Sequence, residues 1–113
     1  MGRLPVPLPG PVRKAINAVN AGDTRSLLAL FTPNTGYVKD WGRKFRGSEA
    51  IRSWSNREFI GRHVKLQVAT FYLTDEGDTV VIAEVGGFGF KSPCAFTFHV
   101  DGELLTNMRT CRY

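Results

Sequence analysis

The spacing of apolar residues changes once along the chain, and this change restricts the fold more than any other feature of the sequence. Before residue 60 apolar residues recur at helical spacing in three stretches, within 12–19, 27–31 and 50–54, whereas after His63 they alternate with polar residues, as in strands. The sequence therefore predicts an α+β domain in which helices come first and a mostly antiparallel sheet follows. A chain of 113 residues has the length of a single domain with one core.

Three short helices are predicted before residue 61. The first spans residues 11–22 and ends at a glycine, which readily adopts the left-handed conformation of a helix end. Asp23 is expected to cap the second helix through its side-chain oxygen, and Pro33 to stop it. Ser48 is expected to cap the third helix. The chain thus supplies several helical faces for a sheet to cover.

Glycines and turn residues mark the predicted strands. A small hairpin is predicted around Gly42, from residues 37–41 and 44–46. Glycines at 86, 87 and 89 are expected to let one strand bend sharply, so that the sheet curves around the helices. The long strands are predicted over residues 64–74, 79–90, 94–100 and 103–113.

The Asp101-Gly102 turn sets the predicted register of the last two strands. A two-residue loop places Val100 opposite Glu103, and directly opposed residues share a face. His99 then points away from the helices, which indicates a surface or dimer-interface role. The face predicted to meet the helices carries Cys94, Phe96, Phe98, Leu105, Asn107, Arg109 and Cys111.

Positive charge is concentrated in the first part of the chain. Residues 1–65 carry +8 and residues 66–113 carry −3, an asymmetry that can mark a nucleic-acid-binding face. The basic residues stand singly between apolar ones, however, as Arg52 and Arg57 do, which is typical of solvated faces. We therefore favour solvated faces over nucleic acid as a partner.

Prolines at positions 5, 7, 9 and 11 predict that residues 1–10 form an extended arm, and they interrupt any signal-peptide core. No apolar run approaches the roughly 18 residues that cross a bilayer, so we expect a cytoplasmic protein with no membrane partner. Cys94 and Cys111 have neither metal-ligand spacing nor the density of a disulfide scaffold. Buried free thiols are therefore expected, with no metal site and no cofactor.

Several segments together resemble the nuclear transport factor 2-like, or SnoaL-like, superfamily of cone-shaped domains. These segments are AGD at 21–23, LFTP at 30–33, FRGSEAIRSW at 45–54 and FHVDGELL at 98–105. The resemblance covers residues 11–113. It implies three helices packed in the concavity of a strongly curved sheet, an open-ended pocket, and a homodimer through the convex face. The superfamily holds isomerases, dehydratases, cyclases, hydrolases and inert binding proteins, so the resemblance leaves the function open.

Asp40 is the candidate catalytic residue. In ketosteroid isomerase, a member of the superfamily, the general base lies on the first strand after the helix pair, where this chain has VKD at 38–40. A lone carboxylate in an apolar mouth beside Trp41 would be destabilised in its charged form, as a general base requires. The alternative is an exposed aspartate that pairs with Lys39 or Arg43.

The oxyanion donors of that isomerase have no counterparts here. The resemblance places its tyrosine donor at Ala15 and its protonated aspartate at Cys94. Steroid isomerisation is therefore not expected, because no preorganised donors would stabilise the enolate. A different proton transfer stays open.

An apolar or aromatic small molecule is the predicted ligand of the cone. Arg109 could bind a ligand carboxylate or hold Asp40 in an ion pair. Two functions follow: a small-molecule-binding domain, with Asp40 as the candidate acid or base of an isomerase, cyclase or dehydratase reaction, or a non-catalytic dimeric binding or interaction module. The alternative for the aromatic ones is a core role, because a domain this small needs most of its aromatic residues there. The predicted lining residues are Tyr37, Trp41, Trp54, Phe88, Phe96, Phe98, Asn107 and Arg109.

Overall fold

The structure is a computed structural model and describes residues 7–87 and 90–111. Within these residues two α-helices precede a two-stranded hairpin, and a third α-helix and a short 3-10 helix precede four further strands, which confirms the predicted α+β class. The helices are α1 Gly10–Ala21, α2 Thr24–Leu28, α3 Ser48–Glu58 and the 3-10 helix Ile60–Arg62. The strands are β1 Tyr37–Asp40, β2 Arg43–Arg46, β3 Lys65–Leu73, β4 Asp78–Gly87, β5 Phe90–Asp101 and β6 Leu104–Thr110.

The strands form one curved sheet in the order β2-β1-β6-β5-β4-β3. The β1–β6 pair is parallel and every other neighbouring pair is antiparallel, so the sheet is mixed. The helices fill its concave side, as the cone-shaped prediction requires. We call the side that meets the helices the inner face and the opposite side the outer face.

Most helix boundaries follow the local signals in the sequence. Gly22 ends α1 in the left-handed region at φ 70°, and Asp23 caps α2 by accepting a hydrogen bond of 3.1 Å from the Ser26 N–H. The predicted Ser48 cap is wrong. Ser48 is the first helical residue of α3, and the preceding Gly47 occupies the cap position at φ 88°, a value that glycine adopts without strain.

The core lies between α1, α3 and the inner face of the sheet. Trp54 of α3 stacks between Phe45 of β2 and Phe59, with ring centroids 6.0 and 4.9 Å apart. Each fully buried side chain of this size contributes about 1.5–3 kcal/mol through removal from water. The inner face is buried along Val38, Val81, Ala83, Val85, Phe96, Phe98 and Met108.

The predicted register of the last hairpin is wrong by more than one residue. The loop consists of residues 102–103, because Asp101 pairs with Leu104, and a bulge after His99 shifts the register again. Phe98 consequently pairs with Met108, which is buried. This register places an apolar side chain in the core and turns the neighbouring polar side chains of β6 outward.

Cys94 and Cys111 form a disulfide with a Cα–Cα distance of 5.7 Å, so the prediction of free thiols is wrong. The two cysteines are 17 residues apart in sequence, but the antiparallel β5–β6 pairing brings the end of the chain back beside β5. Within residues 7–87 and 90–111, no helix is long and apolar enough to cross a membrane.

The free edge of β3 is covered by one side chain from α1. The Asn20 amide donates to the Leu66 carbonyl at 2.9 Å and accepts from the Leu66 N–H at 2.7 Å. Asn20 thereby replaces a missing strand neighbour and satisfies backbone groups that would otherwise lie open at the edge. The predicted arm over residues 1–10 lies largely outside the described residues, and α1 begins at its last residue.

Candidate functional site

Asp40 ends β1 and points to the inner face, two residues beyond the buried Val38. Its neighbours across the sheet are Arg43 of β2 and Thr110 of β6. The Thr110 hydroxyl donates to Oδ1 at 2.7 Å, and the indole Nε1 of Trp54 donates to Oδ2 at 2.9 Å. With 16% of its side chain exposed, Asp40 lies at the rim of the core rather than in open solvent.

A guanidinium completes the surroundings of this carboxylate. Arg43 donates to Oδ2 of Asp40 at 2.8 Å and to both carboxylate oxygens of Glu58, at 2.6 and 3.0 Å. The side-chain hydrogen bond from Arg43 is the main reason why the pKa of Glu58 lies below its ordinary value. The expectation of a lone carboxylate is therefore wrong, and the alternative of a pair with Arg43 is what the structure contains.

The arrangement limits what Asp40 can do chemically. A carboxylate offers about four acceptor positions, and Thr110, Trp54 and Arg43 fill three of them. One position stays available for a ligand donor or a substrate proton. Asp40 is thus anchored in a fixed orientation, which suits either a structural polar group or a preoriented base.

Trp54, Phe96 and Phe98 are brought together on the inner side of the sheet. Trp54 is 1% exposed, and the two phenylalanines are buried along β5. All three are core side chains, and among them Trp54 contacts Asp40 through its indole N–H. Phe88, also predicted to line the site, lies outside the described residues.

The remaining predicted lining residues lie elsewhere. Asn107 pairs with Tyr37 and with His99, and these residues share the outer face. Arg109 pairs with Lys39 and Thr97 on the same face. The inward orientation predicted for Asn107 and Arg109 is therefore wrong, since it depended on the mistaken hairpin register.

Trp41 occupies the turn between β1 and β2 and is 62% exposed. It follows Asp40 directly, but its indole stands mostly in solvent rather than in an apolar mouth. His99 lies on the outer face, as predicted, where its Nδ1 is 2.7 Å from Oδ1 of Asp78.

An open groove of about 290 Å³ lies beside the β3 edge, away from Asp40. None of its lining residues was predicted to belong to a site. Within the described part of the chain, no group of three or more histidine, cysteine or acidic side chains could hold a metal ion. The groove is lined by Asn20, Lys65, Leu66, Gln67, Glu84 and Gly86.

Two partners in the Asp40 cluster were not predicted from the sequence. Thr110 is separated from Asp40 by 70 residues, and Glu58 from Arg43 by 15. No local motif marks either contact, because a threonine in a strand and a glutamate in the last turn of a helix are ordinary residues there. Only the parallel β1–β6 pairing and the packing of α3 under the hairpin bring them together.

The fold and this cluster place the chain in a defined class of protein. The SnoaL-like domain family matches residues 12–108, which is most of the chain. The chain therefore belongs to the SnoaL-like family, within the nuclear transport factor 2-like superfamily. The sequence has no match among curated proteins.

Solved structures share the fold at low sequence identity. A putative polyketide cyclase from Sinorhizobium meliloti is 21% identical, with a TM-score of 0.81 over 91% of this chain and 94% of that one. A Mycobacterium tuberculosis protein in complex with estradiol-17β-hemisuccinate is 19% identical, with a TM-score of 0.75 over 88% of each chain. SalBIII, an epoxide hydrolase/cyclase-like enzyme of pyran ring formation in salinomycin, is 17% identical, with a TM-score of 0.78 over 89% of this chain and 86% of that one.

Proposed function

We propose that this chain is a small-molecule-binding SnoaL-like domain that holds an apolar or aromatic ligand in its cone. The observation that carries the proposal is the state of Asp40, a carboxylate anchored by Arg43, Trp54 and Thr110 with one acceptor position left. Such a group can orient a ligand hydroxyl or amine without taking part in a reaction.

The composition of the inner face supports an apolar ligand. Trp54 on α3 and Phe96 and Phe98 on β5 make the inner side of the sheet aromatic, and the Trp54 indole donates to the anchored carboxylate. Ligand sites commonly combine mostly apolar walls with a few placed polar groups. The estradiol-17β-hemisuccinate complex of the mycobacterial protein offers a precedent for an apolar ligand in this fold.

The proposal is tested by thermal unfolding in the presence of estradiol, estradiol-17β-hemisuccinate and 1-naphthol. A ligand that binds only the folded state raises the midpoint of unfolding with its concentration. The Trp41→Asn variant leaves Trp54 as the sole tryptophan, so quenching of its fluorescence would locate a ligand near Asp40. If no ligand changes either signal, the ligand-binding proposal is wrong for this class of compound.

Acid–base catalysis by Asp40 is the second candidate. Arg43, which covers Asp40, is itself half exposed and lies on a short edge hairpin, so it could move aside and free the carboxylate. Cys94 is held in a disulfide and Ala15 has no polar group, so neither supplies the oxyanion donor of a ketosteroid isomerase. The reaction would therefore be a different proton transfer, in a cyclase or dehydratase type of reaction.

The Asp40→Asn variant separates the two candidates. Asparagine keeps the shape but only one acceptor oxygen beside the Arg43, Trp54 and Thr110 donors, so ligand binding should weaken without being lost, whereas turnover of enolisable ketones should disappear. If the parent protein turns over no member of such a panel, the catalytic candidate fails and the binding proposal stands.

A homodimer through the outer face of the sheet completes the proposal. Val80, Ile82, Ala95 and Thr97 form a partly apolar centre on neighbouring strands β4 and β5. His99 lies in the same face beside this centre, held by Asp78. Replacing Ala95 with arginine should convert a dimer into a monomer in size-exclusion chromatography with light scattering, because it inserts a charge in the interface.

A further inference from the structure

Four cations lie close together on the outer face where β2, β1 and β6 run side by side. Lys44 is directly opposite Lys39, and Lys39 is directly beside Arg109, so three cations form one row across three strands. Arg46 lies opposite Tyr37 in the next row. We call Lys39, Lys44, Arg46 and Arg109 the basic face; all four are exposed.

The basic face has no acidic partner among the described residues. The ion pairs of residues 7–87 and 90–111 involve other side chains, and the outer residues of these three strands that share rows with the cations, Tyr37 and Asn107, are uncharged. Like charges directly opposite each other in a sheet destabilise it. Lys44 and Arg46 relieve part of this repulsion by lying 4.4 and 5.8 Å from the Tyr37 ring centroid. The arrangement therefore favours an anionic partner.

A second feature adjoins the basic face. The hairpin turn that follows Lys39 and Asp40 consists of Trp41 at φ 55° and Gly42 at φ 84°. Tight turns with two positive φ values favour asparagine, aspartate and glycine, whereas a bulky residue is strained there. Trp41 is 62% exposed in this turn, so a surface that approaches the basic face can also reach the indole.

We propose that the basic face and Trp41 together dock this chain on the surface of a bilayer that contains anionic phospholipids. Clusters of four or more lysines and arginines bind such surfaces, and tryptophan prefers the headgroup region. Binding at a membrane surface combines attraction to anionic lipids with burial of apolar side chains, and here the basic face supplies the first and Trp41 the second.

A bilayer fits this surface better than nucleic acid does. Proteins that bind single strands combine a positive groove with open aromatic platforms. Here the cations stand on the outer side of a curved sheet, and two of them cover the ring of Tyr37. The basic face also lies at the β2 edge of the sheet, so a dimer through β4 and β5 would leave it exposed beside the dimer interface.

The experiment is flotation of the full chain with vesicles of phosphatidylcholine alone or with about one third phosphatidylserine. We expect the protein to float with the anionic vesicles only, and to be released as salt is raised. Indole emission should shift to the blue on binding, through Trp41, since Trp54 is already buried.

Matched variants separate a specific face from general positive charge. Lys39→Ala with Arg109→Ala should weaken partitioning by roughly 25-fold, since each cation near an anionic surface contributes about fivefold. Arg13→Ala with Lys14→Ala removes the same charge from the exposed side of α1 and should have a much smaller effect. Trp41→Asn should abolish the emission shift, and its Asn-Gly sequence suits the turn, so the variant should fold.

Three results would overturn the proposal. The parent protein could float equally with both kinds of vesicle or with neither. The Arg13 and Lys14 double variant could lose as much binding as the Lys39 and Arg109 double variant. The protein could also fail to bind vesicles yet slow the electrophoretic migration of a single-stranded oligonucleotide at low salt, which would assign the basic face to nucleic acid. Each result is independent of whether the cone binds a ligand.

Discussion

The hydroxyl of Thr110 donates a hydrogen bond of 2.7 Å to Oδ1 of Asp40, joining the last residue of β6 to the last residue of β1. The contact depends on the parallel pairing of these two strands, which is the sheet's only parallel pair within the described residues. It fixes the orientation of the Asp40 carboxylate, the candidate catalytic group of the sequence. The consequences for stability can be measured directly.

Asp40→Ala should lower the free energy of unfolding by about 2–3 kcal/mol, because it leaves the buried indole N–H of Trp54 without its acceptor and removes two further hydrogen bonds. Urea denaturation measures the change. Glu49→Ala is the matched control, since its pair with Arg52 is exposed and should contribute less than about 1 kcal/mol. Equal losses in the two variants would contradict a special role for Asp40.

Glu58 should make stability depend on pH below about pH 5. Its pKa is lowered in the folded state, chiefly by the side-chain hydrogen bond from Arg43. The stabilisation is therefore complete above the ordinary glutamate pKa and is lost as the pH falls through the lower folded value. Urea midpoints measured between about pH 5 and pH 3 should decline less steeply in Glu58→Gln than in the parent. An unchanged slope would show that the pair with Arg43 is not significant in solution.

Reduction of the Cys94–Cys111 disulfide should cost about 3 kcal/mol, the chain-entropy expectation for a loop of this length. Comparison of urea unfolding with and without a reductant gives the value for the parent protein. The Cys94→Ser and Cys111→Ser double variant should match the reduced parent and should not respond to reductant. A parent protein that is equally stable in both conditions would argue against the disulfide.

Asn20→Ala should destabilise the domain by about 1–3 kcal/mol, because two Leu66 backbone groups lose their partner at the sheet edge. Hydrogen exchange of the Leu66 amide should accelerate more than that of central strands. Asn17→Ala on the exposed side of the same helix is the control and should be nearly neutral. Similar losses in both variants would refute the edge-capping role.

Ser55→Ala should leave stability unchanged or raise it by up to about 1 kcal/mol. Ser55 is fully buried in α3, and its hydroxyl has no hydrogen-bond partner within the described residues. Alanine removes this unsatisfied group and has a higher helix propensity. Thermal unfolding measures the difference. A clear loss of stability would indicate that the hydroxyl has a partner in solution.

The basic face illustrates how tertiary structure changes an interpretation of charge. In the sequence its members lie in three separate segments, and Arg109 is 63 residues from Arg46. Single cations between other residues indicate solvated faces, which is how the charge asymmetry was interpreted. Register then places residues 39, 44 and 109 in one row, and no local pattern can predict such a row.

Local signals in the sequence determined the order and type of the elements. Three such signals are the change in apolar period at residue 63, the glycine that ends α1 and the Asp23 cap. Each acts within a few residues, so it can be recognised without knowing the rest of the fold. The family resemblance rests on the same local segments and on their order. These features settled the α+β class and the SnoaL-like family.

Tertiary structure alone decided the surroundings of Asp40, the disulfide and the facing of β6. Each depends on contacts between distant segments, and a bulge after His99 is enough to exchange the inner and outer positions of the last strand. Because side chains alternate between faces, a register shift of one residue moves a polar group out of the core and Met108 into it. The fold was predictable because it follows from local signals. The site was not, because it depends on a register that packing over the whole sheet sets.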